Sequence, residues 1–366
     1  MVSAIENRYV PDYVSPPGET LLDTIEALGM SQAELAERTG RPPKTISEII
    51  KGKSAITSET ALQLEKVLGA PASFWTSRER HYRESLARQK DQSRLQEQID
   101  WLKNLPVKAM CAERWIRRFD DKVQQLREVL RFFGVASPAA WHEVWRGPQV
   151  AFRQSKAFES DPGAVAAWLR KGEIKAQSIQ CNPYDPVSFR KVLNRARGLT
   201  VEPPEVFQPQ LVQMCADVGV AVVFVPELPK TRLFGATRWL SPNKALIQLS
   251  LRYKTNDHLW FTFFHEAGHI LLHGKRDVFI ESESDKGAKE SKADRFSEDC
   301  LIPRAEYHAF VRSRARSKIK VRSFADEIGI APGIVVGRLQ HDGKLLQSHL
   351  NSLKRHYHWV RNAEAA

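Results

Sequence analysis

The stretch TNDHLWFTFFHEAGHILLHG, residues 255–274, decides how the chain is read. With its apolar WFTFF lead-in it reads as a single helix. His265 and His269 lie four residues apart, which places both imidazoles on one face, able to share a Zn²⁺ ion. Glu266 is positioned to take a proton from a water at such an ion and pass it to a leaving amine. With 11 histidines in 366 residues, H-E-x-x-H arises by chance in about 2% of chains this long, so its surroundings must decide. They agree: VGVAVVFV (218–225), LFGATRWL (233–240) and ALIQLSLRY (245–253) read as strands leading into the helix. ALIQLSLRY is also expected to present a peptide substrate as an added edge strand.

A third protein ligand is required. His273 lies eight residues from His265, about 12 Å along a helix axis, too far for Zn–N bonds of about 2.1 Å. It is expected to pack behind the ligands. H-E-x-x-H-x-x-G-x-x-H is not completed, which excludes the metzincin arrangement. KESKADRFSEDCLIP (289–303) offers Glu290 and Asp294 at i, i+4 on one helix face, the E-x-x-x-D arrangement of gluzincins. Glu290 is the expected ligand, and Asp294 the acceptor for the free N–H of a ligating histidine. Glu281 and Glu283 are alternatives within the polar run ESESDKGAKE (281–290). No residue is assigned to the oxyanion; Tyr253, His258 and Tyr307 are the candidates.

The other end of the chain has a different character. ETLLDTIEAL places Leu21, Leu22, Ile25 and Leu28 on one helical face before Gly29. Ser31 with Glu34 forms a capping-box signal for SQAELAERT, Gly40 supplies a left-handed stop, and Pro42–Pro43 open KTISEIIK. A helix SETALQLEKVL follows. Two short helices about a glycine turn make a helix-turn-helix, whose second helix enters the major groove. Lys44, Thr45, Ser47 and Glu48 are the expected groove residues, with Arg41 just before them. Gln32, Lys51 and Lys53 are placed for phosphates or the groove edge.

Charge sharpens this picture. The net charge is +12, yet residues 1–80 carry nine Lys/Arg against eleven Asp/Glu, so the DNA-reading tip is only locally basic. Residues 311–366 hold eleven basic and four acidic groups. Arg312, Arg314, Arg316, Lys318, Lys320 and Arg322 alternate there as either a solvated face or a DNA contact. Neutralising the six and measuring DNA affinity against salt separates the two, because only a DNA contact steepens the salt slope. FADEIGIAPGIVVGRLQHDG (324–343) repeats LAERTGRPPKTISEIIKG (35–52) at an offset of 289: Ala36/Ala325, Glu37/Asp326, Gly40/Gly329, Pro43/Pro332 and Ile46/Val335. This predicts a second helix-turn-helix-like unit, whose less polar second helix packs on its neighbour rather than reading bases.

Between the two ends, WIRRFDDKVQQLREVLRFFG (115–134) is amphipathic, and Trp101, Trp115, Trp141, Trp145 and Trp168 read as core. Prolines at 183, 186, 203, 204 and 209 mark a loop-rich boundary. Cys111, Cys181, Cys215 and Cys300 stand far apart without C-x-x-C, so a thiolate metal site is not expected and a reducing cytoplasm is. MVSAIENRYVPDYV lacks the basic-then-apolar layout of a signal peptide, and no apolar run is long enough for a membrane span.

The expected fold is therefore mainly α with a small mixed β-sheet. It comprises a helix-turn-helix bundle at 1–85, a helical connector at 86–204, a zincin-like α+β domain at 205–310 and a basic helix-turn-helix-like segment at 311–366. Residues 10–85, with ASFWTSRERHYRE (72–84), resemble the Xre-type helix-turn-helix of the HigA-like antitoxin group, which implies a homodimer on a palindromic double-stranded operator. HEAGHILLHG followed by E-x-x-A-D-x-F-x-x-x-x-L-I-P (Glu290 to Pro303) is similar to the ImmA/IrrE zinc peptidases over about 205–345. Members usually carry Asn where Asp294 stands and often Glu where Lys292 stands. That resemblance implies cleavage of a repressor or antitoxin partner under stress. The competing expectation is a non-enzymatic repressor or antitoxin whose zincin domain is a structural or sensing module.

Overall fold

The computed structural model describes residues 14–145, 161–274, 279–282, 288–314 and 316–360. Most of the N-terminal stretch read for a signal peptide, Glu283 and the side chain of Glu281 lie outside the described residues. The chain divides into two compact units, Met1–Ile99 and Asp100–Ala366.

The first unit holds α1 (Pro17–Ala27), α2 (Gln32–Thr39), α3 (Pro43–Ile50), α4 (Ser58–Leu68) and α5 (Ala72–Glu97). The punctuation read from sequence sets their ends. Ser31 Oγ accepts from the Glu34 N–H at 3.1 Å, and Gly40 (φ 65°) and Gly69 (φ 80°) close α2 and α4 in the left-handed region. Leu21, Ile25, Leu35, Ile46, Ile49 and Leu64 close one core around Trp75 of α5. Gly18 is obligatory, since a Cβ there would lie 2.2 Å from the Ile49 carbonyl oxygen, where α1 crosses α3.

The second unit begins with α6 (Val107–Ala112), α7 (Lys122–Phe133) and α8 (residues 138–145). Trp101, Phe133, Trp141 and Trp145 pack as core, edge-on with centroids 5.5–6.4 Å apart, whereas Trp115 is only half-buried, stacked on Phe132. Next come α9 (Pro162–Gln177), α10 (Pro186–Gly198) and α11 (Pro204–Ala216), which pack on the sheet. Trp168 Nε1 of α9 donates to the Val225 carbonyl at 3.1 Å, and Gln248 Nε2 donates to the Trp168 carbonyl at 2.7 Å.

The sheet contains β1 (Val220–Phe224), β2 (Leu233–Ser241), β3 (Lys244–Leu249) and β4 (Phe279–Ser282), in the order β1-β3-β2-β4. β3 runs parallel to β1 and antiparallel to β2, and β4 is antiparallel to β2. ALIQLSLRY was expected at an edge. Its strand is instead paired on both sides, so its N–H and C=O groups are consumed within the sheet, and β1 and β4 are the edges among the described residues. The buried strands explain the mixed pattern: β1 is apolar throughout and inaccessible on both faces.

α12 (Asn256–Leu272) lies across this sheet, followed by α13 (Ala288–Leu301), α14 (Arg304–Arg312), α15 (Lys318–Glu327) and α16 (Pro332–His341). The repeat at an offset of 289 is structural. The Arg41 N–H donates to the Ala36 carbonyl and the Ile330 N–H to the Ala325 carbonyl, each at 3.0 Å. Gly329 (φ 69°) occupies the position of Gly40. The second helices differ in their fate. Ile334, Val335, Val336 and Leu339 of α16 enter the core shared with Trp260 and Phe263 of α12, so α16 is not available to a DNA groove. Gly333 and Gly337 flatten its contact face, because Cβ atoms there would lie 2.6 Å from Asn256 Oδ1 and 2.5 Å from Asp257 Oδ2. No described helix is long and apolar enough to cross a membrane.

Candidate metal centre and nucleic-acid interface

α12 is buried along most of its length, including His265, Glu266 and His269. The small residues of the motif have a packing role. Ala267 is fully buried, and a Cβ at Gly268 would lie 3.3 Å from Ala293 Cα and 3.1 Å from the Phe296 ring. This close crossing lets α13 approach, and Ser297 Oγ fixes it by donating to the Phe261 carbonyl at 2.8 Å. Glu290 and Asp294, on the same face of α13, are thereby carried to the histidines.

His265 Nε2 lies 2.9 Å from His269 Nε2, and Glu290 Oε2 lies 3.0 Å and 3.3 Å from these two nitrogens. The opposite nitrogens are engaged elsewhere. Asp294 Oδ1 accepts from His265 Nδ1 at 2.9 Å, and His269 Nδ1 meets His273 Nδ1 at 3.0 Å. With the Nδ1 protons directed outward, two imidazole lone pairs and a carboxylate oxygen converge on one point. Nothing but a cation or extra protons relieves that convergence. The separations approach the roughly 3.4 Å expected between two ligands about 2.1 Å from a tetrahedral ion. The residues therefore fit a small N/O-bound divalent ion such as zinc.

Electrostatics point the same way. Burial works to raise the Glu290 carboxyl, but hydrogen bonds and charge from both imidazoles outweigh it and bring it down to about 2. Burial, countered in part by Glu290, pushes His269 below its usual value, toward the neutral form a ligand needs. Burial and the neighbouring His269 also push His273 down. His273 stands just past the end of α12 in extended backbone, so it reaches His269 as an outer contact rather than as a third ligand.

Glu266 is fully buried against β2, where a Cβ at Gly235 would lie 2.6 Å from Glu266 Oε1. Thr237 Oγ1 donates to the Glu266 carbonyl at 3.1 Å. Neither contact was anticipated, although a glycine inside a strand is a signal of close approach. Phe279 of β4 was missed as well. Its ring stacks on His269 with centroids 4.0 Å apart and planes at 18°. It lies just before the polar run 281–290, in a stretch to which the sequence reading assigns no element. Of the oxyanion candidates, Tyr253 and His258 line the same cavity as His265, whereas Tyr307 donates to Asp342 Oδ2 at 2.7 Å.

In the first unit, Lys44 is 84% exposed on the leading turn of α3. Gln32, Lys51 and Lys53 are exposed, and Thr45, Ser47 and Glu48 are partly so. Arg41 differs from the rest. Its guanidinium pairs with Glu59 at 3.0 Å and its Nε donates to Gln63 Oε1 at 2.6 Å, which ties the turn before α3 to α4. Arg312, Arg314, Arg316, Lys318, Lys320 and Arg322 are all exposed and make no ion pair with another described residue. All four cysteines are free thiols.

Comparison with known proteins matches each unit separately. Residues 23–75 match the family described as "Helix-turn-helix", and residues 216–339 match the "IrrE N-terminal-like domain". The chain is 33% identical over 78 residues to virulence-associated protein I of Dichelobacter nodosus, covering 21% of this chain and 72% of that protein. It is 32% identical over 59 residues to the HTH-type transcriptional regulator YddM of Escherichia coli (strain K12), covering 16% of this chain and 63% of that protein. Among solved structures, an addiction module antidote protein of the HigA family from Coxiella burnetii is 29% identical. It covers 23% of this chain and 92% of its own, with a TM-score of 0.22. The chain belongs to the Xre-like helix-turn-helix family and carries, later in its sequence, an IrrE-like domain that is metallopeptidase-like.

Proposed function

We propose that the protein is a DNA-binding regulator carrying a zinc-dependent endopeptidase, aimed at a repressor or antitoxin-type partner. The observation behind this reading is the convergence of His265 Nε2, His269 Nε2 and Glu290 Oε2 beside a fully buried Glu266. His265, His269 and Glu290 hold the ion, Asp294 and His273 fix the outward nitrogens of the two imidazoles, and Phe279 stacks against His269. A bound divalent ion supplies Lewis acidity at a peptide carbonyl and makes a water acidic near neutral pH. Glu266 accepts the proton from the attacking water and delivers it to the leaving amine. Burial against Gly235 and the hydrogen bond from Thr237 to its own carbonyl hold that residue in register.

The first unit delivers this activity to an operator, with Gln32, Lys44, Thr45, Ser47, Glu48, Lys51 and Lys53 facing the duplex and Arg41 shared with Glu59. A homodimer on a palindromic site under stress control, in the cytoplasm, completes the proposal. Replacing Lys44, Lys51 and Lys53 by Ala in both protomers is expected to flatten the plot of log affinity against log salt by about five units, roughly 0.9 for each lysine that meets a phosphate. An unchanged slope removes these lysines from the phosphate contacts.

The catalytic part is tested by metal analysis of the purified full chain beside Glu266→Gln, with new N-termini mapped in a cell lysate incubated with each. Stoichiometric zinc in both, and new N-termini only with the wild type, is the expected result. Zinc in neither ends the catalytic reading. Zinc in both with no cleavage transfers the case to a non-enzymatic repressor or antitoxin, whose zincin domain senses or supports.

A further inference from the structure

The unit that carries the helix-turn-helix has no net positive charge. Residues 1–99 hold 13 Lys/Arg against 14 Asp/Glu, so the net charge of +12 lies wholly in residues 100–366, whose own balance is +13. Much of a protein's affinity for a duplex comes from the phosphates it neutralises, and the first unit is basic only at its tip. The surplus in the second unit has a centre. Arg312 closes α14, Arg314 and Arg316 stand in the turn, and Lys318, Lys320 and Arg322 lie in the first turns of α15. No Asp or Glu occurs between Glu306 and Asp326. All six cations are exposed, and none pairs with another described residue. Like charges this close in sequence repel one another, which a bound polyanion relieves.

The chemistry of the stripe selects the polyanion. A membrane surface needs an apolar face beside the charge, but Val321, Phe324 and Ala325 of α15 are buried in the core and leave Ile319 alone, 78% exposed. Duplex DNA, by contrast, already reaches this chain through α3, so a second contact forms at raised local concentration. The contact cannot be to bases. At the offset of 289, Lys44, Thr45, Ser47 and Glu48 of α3 correspond to Gly333, Ile334, Val336 and Gly337 of α16. Ile334 and Val336 are 3% and 0% exposed, and the two glycines lie against Asn256 and Asp257 of α12. The face that would read a groove is closed, while the six cations stay open. From this distribution we infer that the 312–322 stripe binds the phosphate backbone of duplex DNA without regard to sequence, adding affinity that the first unit does not carry alone. The inference rests on the first unit as a DNA reader.

Two measurements on the full chain test it. Binding to two labelled duplexes of scrambled sequence, one rich in A·T and one in G·C, is followed by fluorescence anisotropy across a range of KCl concentrations. Gln at all six positions is expected to flatten the plot of log affinity against log salt by at least about two units on both duplexes, roughly 0.9 for each side chain that meets a phosphate. An unchanged denaturant midpoint of the second unit shows that the substitutions spare its fold. In parallel, the wild type is acetylated with N-hydroxysuccinimidyl acetate at low salt, with and without duplex, and each lysine is quantified by mass spectrometry. Lys318 and Lys320 are expected to be protected at least threefold, with exposed Lys122 of α7 unchanged. This readout needs no variant and decides the matter if the sixfold one does not fold. A slope unmoved by the six substitutions, a slope moved on one duplex only, or Lys318 and Lys320 equally reactive with and without duplex overturns the contact. Binding to poly-glutamate or to phosphatidylserine vesicles that the six substitutions abolish, beside an unmoved DNA slope, gives the stripe to an acidic protein or a membrane instead. A slope that falls for Lys44, Lys51 and Lys53 but not for the stripe keeps the reader and removes the contact. The reverse keeps the stripe and removes the reader.

Discussion

Glu290→Ala is expected to lose zinc at competitor concentrations where the wild type retains it, with affinity falling by at least about a hundredfold. Loss of an outer-shell partner typically costs 10–100-fold, and Glu290 stands closer than that, 3.0 Å and 3.3 Å from the two Nε2 atoms. Removing it leaves two neutral imidazoles, too few ligands and too little charge to hold a divalent ion tightly. Asp294→Ala acts through His265 Nδ1 alone and should fall within the outer-shell range. Chelator competition followed by metal analysis measures both. The ordering is the diagnostic result, with Glu290→Ala weaker than Asp294→Ala. Wild-type affinity in Glu290→Ala would move the third ligand to another carboxylate, such as Glu281 or Glu283.

How much of this was legible depends on how local each signal is. α12 was readable because its apolar spacing and both histidines lie within one helix. Glu290 was readable because E-x-x-x-D fixes a helical face wherever that helix goes. Ser31, Gly40 and Gly329 act on their own backbones, so the helix-turn-helix and its repeat were visible from punctuation alone. The misses are non-local. Whether ALIQLSLRY lies inside or at the edge of the sheet depends on β1 and β2, and no property of its own residues encodes that order. Phe279 belongs to a four-residue strand that runs into a polar stretch, too short for alternation to register. The ties of Arg41 to Glu59 and Gln63 were not legible either, because those partners come from α4, about twenty residues later. Gly235 carried a legible signal, a glycine within a strand, whose partner Glu266 lies on another element.

The two units have separate cores, and that separation carries the second large effect. Trp75 is fully buried among Leu21, Ile25, Leu35, Ile46 and Leu64, the largest side chain in the core of the first unit. Its Nε1 has no hydrogen-bond partner among the described residues, so the indole contributes through volume and buried apolar surface. Trp75→Ala is expected to cost about 3–5 kcal/mol, much of the total stability of a small domain. Trp75→Phe keeps an aromatic ring in place and should cost clearly less. Denaturant melts of the full chain should show the transition of the first unit shifting to lower concentration while that of Asp100–Ala366 stays put. Operator affinity should collapse at temperatures where zinc content is unchanged. Reading DNA binding and zinc content on the same sample makes the result decisive. A mutant that loses its zinc together with its DNA binding means that the second unit does not stand on its own core, despite Trp260, Phe263 and Phe264 closing it without any residue of the first.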